Sequence, residues 1–407
     1  MASSARSMAM SDLGDPFNPY IPPNETPEEK KRRIQREKEA KKHSEAIDRQ
    51  LKAEKEEMEK TKSAKLLLLG SSESGKTTVL KQLKIIHGNG LEEERRQYAR
   101  IVHLNVLTAM KALTSELESS GNSLDDPKNE EHLEKFQMLT TIKVTLNRNS
   151  LTVQAAIRDK KSDDDTASET FREHSESIQA LWSDAAIRKC FEKASNIGLQ
   201  DSAKYFLDHV ERFAQPDYVP TDDDILQARV RTIGVTEHEF RIKGSDPEIF
   251  RIFDVGGHRS QRQYWAPYFD DVNAIIFMAA VSAFDQVLEE DSDVNRMRDS
   301  LQLFDTICNH PLFINTSIIL FLNKIDILKK KIQKVKVKDY FEEYKGANDF
   351  QSVTKFFQRQ FLAKNSNTEK HIYVHFTHAT DTKQMRVIVA SVNDIVQRMN
   401  LKASGLI

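Results

Sequence analysis

The chain has 407 residues, 39% apolar and 30% charged, a formal net charge of −2 and two cysteines, Cys190 and Cys308. That length holds two or three domains of ~100 to 200 residues, and the near-neutral charge argues against nucleic acid as a partner of the whole chain. The cysteines lack metal-ligand spacing, which speaks against a disulfide framework or a zinc site and for a reducing, intracellular compartment; no apolar run approaches the ~20 residues of a membrane span.

Residues 1–26, with Pro16, Pro19, Pro22 and Pro23 among small polar residues, have too little apolar content to fold alone and read as a disordered tail. Residues 27–62 read as one long charged helix, because Ala40, Ile47, Leu51 and Met58 recur on a single helical face. So narrow a stripe makes no core; it either docks on a partner or lies along the helix's own domain. The basic run KKRRIQREKEAKK within it either attracts an anionic membrane surface, at ~1 kcal/mol per basic residue near the lipid, or is a solvated face.

From Lys65, KLLLLGSSESGKTTVLKQLKIIH reads as strand, small-residue loop and helix. Residues 91–224 then carry helical patterns, among them one stripe of Tyr98, Ile101, Val102, Val106, Ala109, Met110, Leu113 and Leu117. A polar stretch from Arg158 to Thr170 reads as a mobile loop within this block. Further on, EIFRIFDV, AIIFMAAV, TSIILFLNKID and HIYVHFTHAT alternate with helical stretches, the mark of a mostly parallel sheet covered on both faces. An all-α block at 91–224 therefore interrupts an α/β domain, split into 63–90 and 225–407.

Gly70 to Thr77 fits G-x-x-x-x-G-K-[ST] between a strand and a helix. Glycines let backbone N–H groups turn onto phosphates, and the helix N-terminus adds positive potential. Glu73, Ser74, Gly75, Lys76, Thr77 and Thr78 form the expected nucleotide cradle, with Lys76 on the outer phosphates and the Thr77 hydroxyl on Mg²⁺. Asp254 ends a strand, where it can hold a metal-bound water, and Gly256 and Gly257 allow backbone approach to a terminal phosphate. Asn323, Lys324 and Asp326 form N-K-x-D: a carboxylate accepts from the N1–H and 2-amino group of guanine, which adenine lacks. That element selects GTP and opposes an ATPase; the Ala379 N–H is a second expected guanine contact.

In order and spacing these elements resemble the alpha subunits of heterotrimeric G proteins, in a divergent fungal-type form, from about Ser44 to Ile407. The blocks KLLLLG, ESGK, KQLKIIH, DVGGHRS, ILFLNKID and ATDT carry the resemblance, together with the helical insertion. It implies a Ras-like P-loop GTPase domain with an inserted helical domain and a long N-terminal helix. It further implies Mg²⁺, GTP and GDP as ligands, Arg229 as a built-in arginine finger and Thr232 as the switch threonine on Mg²⁺, as in alpha subunits generally. Implied partners are a βγ dimer, a seven-helix receptor, an effector and an RGS-type regulator.

Five departures stand out. His258 occupies the place of the glutamine that orients the attacking water. A carboxamide carries donor and acceptor on one arm, whereas neutral imidazole has one of each on separated nitrogens. His258 therefore either fails to position the water, or substitutes as a base, or awaits a partner that completes the site; the alternative function is a nucleotide-locked binding module. Asp299 replaces the family's glutamate opposite Arg262, and its shorter reach is expected to weaken that contact. His378 replaces a common cysteine. The start MASSAR and the absence of cysteine before Cys190 remove the usual lipidation sites, so attachment to the cytoplasmic face of the plasma membrane is expected to be weak or indirect. Finally, Ser404, where some members carry the cysteine modified by pertussis toxin, lies in NLKASGLI, which resembles the family's receptor-reading tail.

Overall fold

A computed structural model describes residues 26–60, 63–88, 90–142, 166–192, 199–242 and 248–403. Residues 1–25 of the tail read at the N-terminus, most of the Arg158 to Thr170 loop, and Ser404 lie outside them. The chain divides into two units, Met1–Lys62 and Ser63–Ile407. In the first, Pro27–Lys60 is one helix, α1. Lys30, Lys31 and Arg32 of its basic run are exposed, as are Ala40 and Ile47 of its apolar stripe.

The second unit is built on a six-stranded sheet: β1 (Ser63–Gly70), β2 (Val235–Ile242), β3 (Glu248–Val255), β4 (Ala274–Ala280), β5 (Ser317–Asn323) and β6 (Ile372–Thr377). The order is β2-β3-β1-β4-β5-β6, with β2 antiparallel to β3 and every other pairing parallel. Side chains alternate across a strand, so Leu67 and Leu69 enter one core and Leu66 and Leu68 the other. The helices α10 (Arg296–Cys308), α11 (Ile325–Lys331) and α12 (Phe350–Leu362) cover the first face. On the second lie α2 (Lys76–His87) and α13 (Thr382–Ala403). Parallel registry brings the carboxyl ends of β1, β3, β4 and β5 to one edge, where ligands bind in open α/β sheets.

The strand β2 was not among those expected from the sequence. Its outward Glu237, Glu239 and Arg241 alternate with half-buried Thr236 and His238 and buried Phe240, and an edge strand of this kind has no continuous apolar run to announce it.

Between β1 and β2 a separate apolar core runs from Leu91 to Val230. It joins α3 (Glu92–Ser119), α4 (Asn129–Ile142), α5 (Thr166–Ser183), α6 (Ala185–Glu192), α7 (Ala203–Asp208), α8 (Val210–Phe213) and α9 (Asp222–Gln227). Every residue of the α3 stripe named above is buried. α9 begins with a capping box between Thr221 and Asp224, which satisfies two of the orphan N–H groups of its first turn.

Candidate functional site

The loop after β1 turns tightly at Gly75, whose φ of +103° is left-handed and whose missing Cβ would stand 2.2 Å from Asn323 Nδ2. Only glycine fits there. The next residue, Lys76, opens α2 and folds its Nζ back onto the carbonyls of Gly70 and Ser71, each at 2.9 Å. Gly257 is needed for close approach: a Cβ on it would meet Lys76 Nζ at 2.4 Å and Ser71 O at 2.6 Å. Burial pulls the Lys76 ammonium down to about 8, against the opposing pull of Asp254.

Three hard oxygen donors from distant segments converge beside this lysine. Thr77 Oγ1 lies 3.0 Å from Thr232 Oγ1 and 3.2 Å from Asp254 Oδ2, and Thr232 Oγ1 lies 3.5 Å from the same carboxylate oxygen. Burial pushes the Asp254 carboxyl up to about 6, with Lys76 pulling the other way. Its Oδ1 is buried with no hydrogen-bond partner among the described residues. Two hydroxyls and a carboxylate with an orphaned oxygen suit a small, oxygen-loving divalent cation such as Mg²⁺.

A cavity of about 1020 Å³ opens over the loop, lined by Glu73, Ser74, Gly75, Lys76, Thr77, Thr78, Arg229, Thr232, Gly257, His258, Asn323, Lys324, Asp326 and Ala379. Asp254 lies beneath it, reached through Thr77 and Thr232. Arg229 bridges to Glu73 at 2.5 Å, and Arg296 takes the other Glu73 oxygen at 2.7 Å. Burial alone would raise the Glu73 carboxyl, but Arg296 and Arg229 together hold it well below the usual carboxylate range.

At the other end of the cavity Asn323 acts as a brace. Its Nδ2 donates to Ser74 O at 2.9 Å, while its Oδ1 accepts from Thr377 Oγ1 and from the Ala379 N–H at 3.1 Å. The Ala379 N–H expected to face guanine is thus engaged inside the protein, because Asn323 ties together the loops that end β5 and β6. Lys324, at a left-handed φ of +63°, gives its ammonium to Asp201 at 2.6 Å. Asp326 Oδ2 lies 3.3 Å from His378 Nε2, so the histidine in the usual cysteine position reaches the carboxylate expected to select the base.

His258 caps the 3-10 turn Arg259–Tyr264. Its Nδ1 accepts from the Ser260 N–H at 3.4 Å and lies 2.9 Å from Ser260 Oγ, while Nε2 lies 3.6 Å from Glu290 Oε2. An N–H can only donate, so the neutral ring carries its proton on Nε2, toward Glu290. Asp299 corrects the expectation of a weakened contact. Its carboxylate meets Arg262 at 2.6 and 3.1 Å and also accepts from Arg259 Nε at 3.1 Å, because the long guanidinium arms supply the reach the shorter acid lacks.

Sequence reasoning missed Asp201, Glu290 and Arg296. No motif marks them, and each is recognised only by the group it meets.

A model of the G-protein alpha subunit family matches residues 41–396. The chain is 41% identical over 371 residues to the guanine nucleotide-binding protein subunit alpha of Emericella nidulans, covering 91% of this chain and 98% of the relative. The G-protein complex alpha subunit gpaA of Aspergillus fumigatus matches at the same identity and coverage. The guanine nucleotide-binding protein alpha-1 subunit of Mycosarcoma maydis is 40% identical, with the same coverage of both chains.

Proposed function

The chain belongs to the G-protein alpha subunit family, and on that premise we propose that it is a slow GTP/GDP switch carrying signals from a seven-helix receptor to an effector. Family membership brings guanine-nucleotide binding, GTPase activity and a place in a heterotrimeric complex. The observation that supports the slow turnover is the placement of His258: Nδ1 is held by Ser260, 3.4 Å from its N–H and 2.9 Å from its Oγ, while Nε2 faces Glu290 at 3.6 Å. Neutral imidazole has one donor and one acceptor; with the Nδ1 acceptor committed to Ser260 only the Nε2 donor is left, and a donor alone cannot accept a hydrogen bond from the attacking water as a carboxamide oxygen can.

Bound GTP would lay its phosphates over Lys76 and the loop N–H groups and turn its base toward Asp326. Thr77 and Thr232, with Asp254 through a water, would hold Mg²⁺, which would supply positive charge to the phosphates. Arg229 would stabilise charge building on the transferring group. A nucleotide-locked binding module is the second reading, favoured by the same His258 geometry. Attachment at the cytoplasmic face of the plasma membrane would rest on the exposed basic face of α1 and on the βγ dimer, and a regulator of the RGS type would supply what His258 does not. Competition of GTP, GDP and ATP for the purified chain with Mg²⁺ tests the switch: GTP and GDP should displace one another and ATP should fail, and equal competition by ATP overturns it.

A further inference from the structure

Arg229 belongs to neither helix nor strand. Its peptide groups therefore lack ladder partners, although it sits in a half-buried segment where unpaired groups are costly. Asn105 supplies the partners. From within α3, 124 residues away in sequence, its Oδ1 accepts the Arg229 N–H at 2.8 Å and its Nδ2 donates to the Arg229 carbonyl at 3.1 Å. The amide also donates to Ile101 O at 2.9 Å, so oxygen and nitrogen are each matched to a partner of the right kind. Asn105 is 2% exposed. Such a two-point exchange is the pairing of opposed residues in an antiparallel ladder, and it sets the rotation of the Arg229 peptide as well as its position.

A second hold comes from the α/β domain. Lys81, in α2 directly behind the phosphate loop, donates from Nζ to the carbonyls of Ile225 and Ala228, each at 2.8 Å. Those carbonyls belong to the end of α9 and the residue just before Arg229. The arginine's backbone is thus gripped from the helical core and from the phosphate-loop helix, while its guanidinium reaches Glu73.

We propose that Asn105 is a positioning residue for Arg229: its carboxamide, with Lys81 on the other side, sets where the arginine stands so that the guanidinium is presented to the transferring phosphoryl group. The proposal rests on the reading of Arg229 as the group that stabilises that charge. Misplacing a reacting partner by ~1 Å can cost ~10²-fold in rate. Loss of the clamp therefore acts on turnover, while ground-state GTP binding, carried by the phosphate loop and Asp326, is preserved.

The test is single-turnover GTP hydrolysis by the full chain, with equilibrium GTP binding measured alongside, for Asn105→Ala, Arg229→Ala and the double variant. Asn105→Ala is expected to slow hydrolysis ~10-fold with GTP affinity within about twofold of wild type, and to cause no further loss once Arg229 is alanine. Wild-type hydrolysis by Asn105→Ala, or the same fold loss in both backgrounds, overturns the proposal while leaving Arg229's role intact. If Arg229→Ala itself hydrolyses at the wild-type rate, the role of Arg229 fails, and the clamp's purpose with it. Asn105→Asp keeps shape and acceptor but sets a carboxylate against the Arg229 carbonyl; should the alanine variant not retain GDP, this variant is judged by the same outcomes.

Discussion

His258 and Glu290 face each other across 3.6 Å, Nε2 to Oε2, while the opposite ring nitrogen caps the turn at Ser260. The neighbouring Glu289 lies 3.4 Å from Arg229. One acidic turn therefore contacts both side chains expected to act on the terminal phosphate.

Replacing the parked ring should release the site. His258→Gln, whose flexible arm presents donor and acceptor together, is expected to speed single-turnover GTP hydrolysis by ~10- to 10²-fold, the usual worth of a positioned group. The measurement runs from pH 6 to 8. A wild-type rate equal to the variant's, and following imidazole ionisation, would mean that His258 works as a base.

Asp326 should decide the base. Asp326→Asn removes the charged acceptor for the two guanine donors, and a preference built on such pairing is expected to fall by ~10²-fold or more when GTP competes against ATP. Unchanged GTP selectivity would sink the N-K-x-D assignment.

Proton and cation compete for the Asp254 carboxylate. Burial raises it to about 6, so it is ionised above that pH and neutral below it. The apparent Mg²⁺ affinity, read as the Mg²⁺ concentration that retains bound GTP, is expected to drop roughly tenfold between pH 7 and pH 5. Asp254→Asn should lose this dependence; a wild-type Mg²⁺ requirement that ignores pH over this range counts against the site.

If α1 attaches the chain to anionic lipid, exchanging Lys30, Lys31, Arg32 and Arg33 for alanine should release it from phosphatidylserine vesicles. Four charges at ~1 kcal/mol each predict a loss of more than 10²-fold in partitioning. Equal binding by variant and wild type would leave βγ as the anchor.

What the sequence alone determined were features whose physics is local. Lys76 and Thr77 are legible because a phosphate cradle needs glycine, lysine and hydroxyl at fixed short spacings between a strand and a helix. The α3 stripe is legible because burial of one face imposes a period of 3.6. β2 was lost because an edge strand faces water along much of its length, and the period-2 signal of Glu237, Glu239 and Arg241 resembles an ordinary polar stretch. What only the tertiary structure decided were partnerships between distant residues. Asn105 with Arg229, Lys324 with Asp201, Asp299 with two arginines and His258 with Glu290 join groups separated by 32 to 124 residues. Each forms because folding removes water from a polar or charged group that must then find a complement. Composition says that such groups exist; only the packed chain says which ones meet.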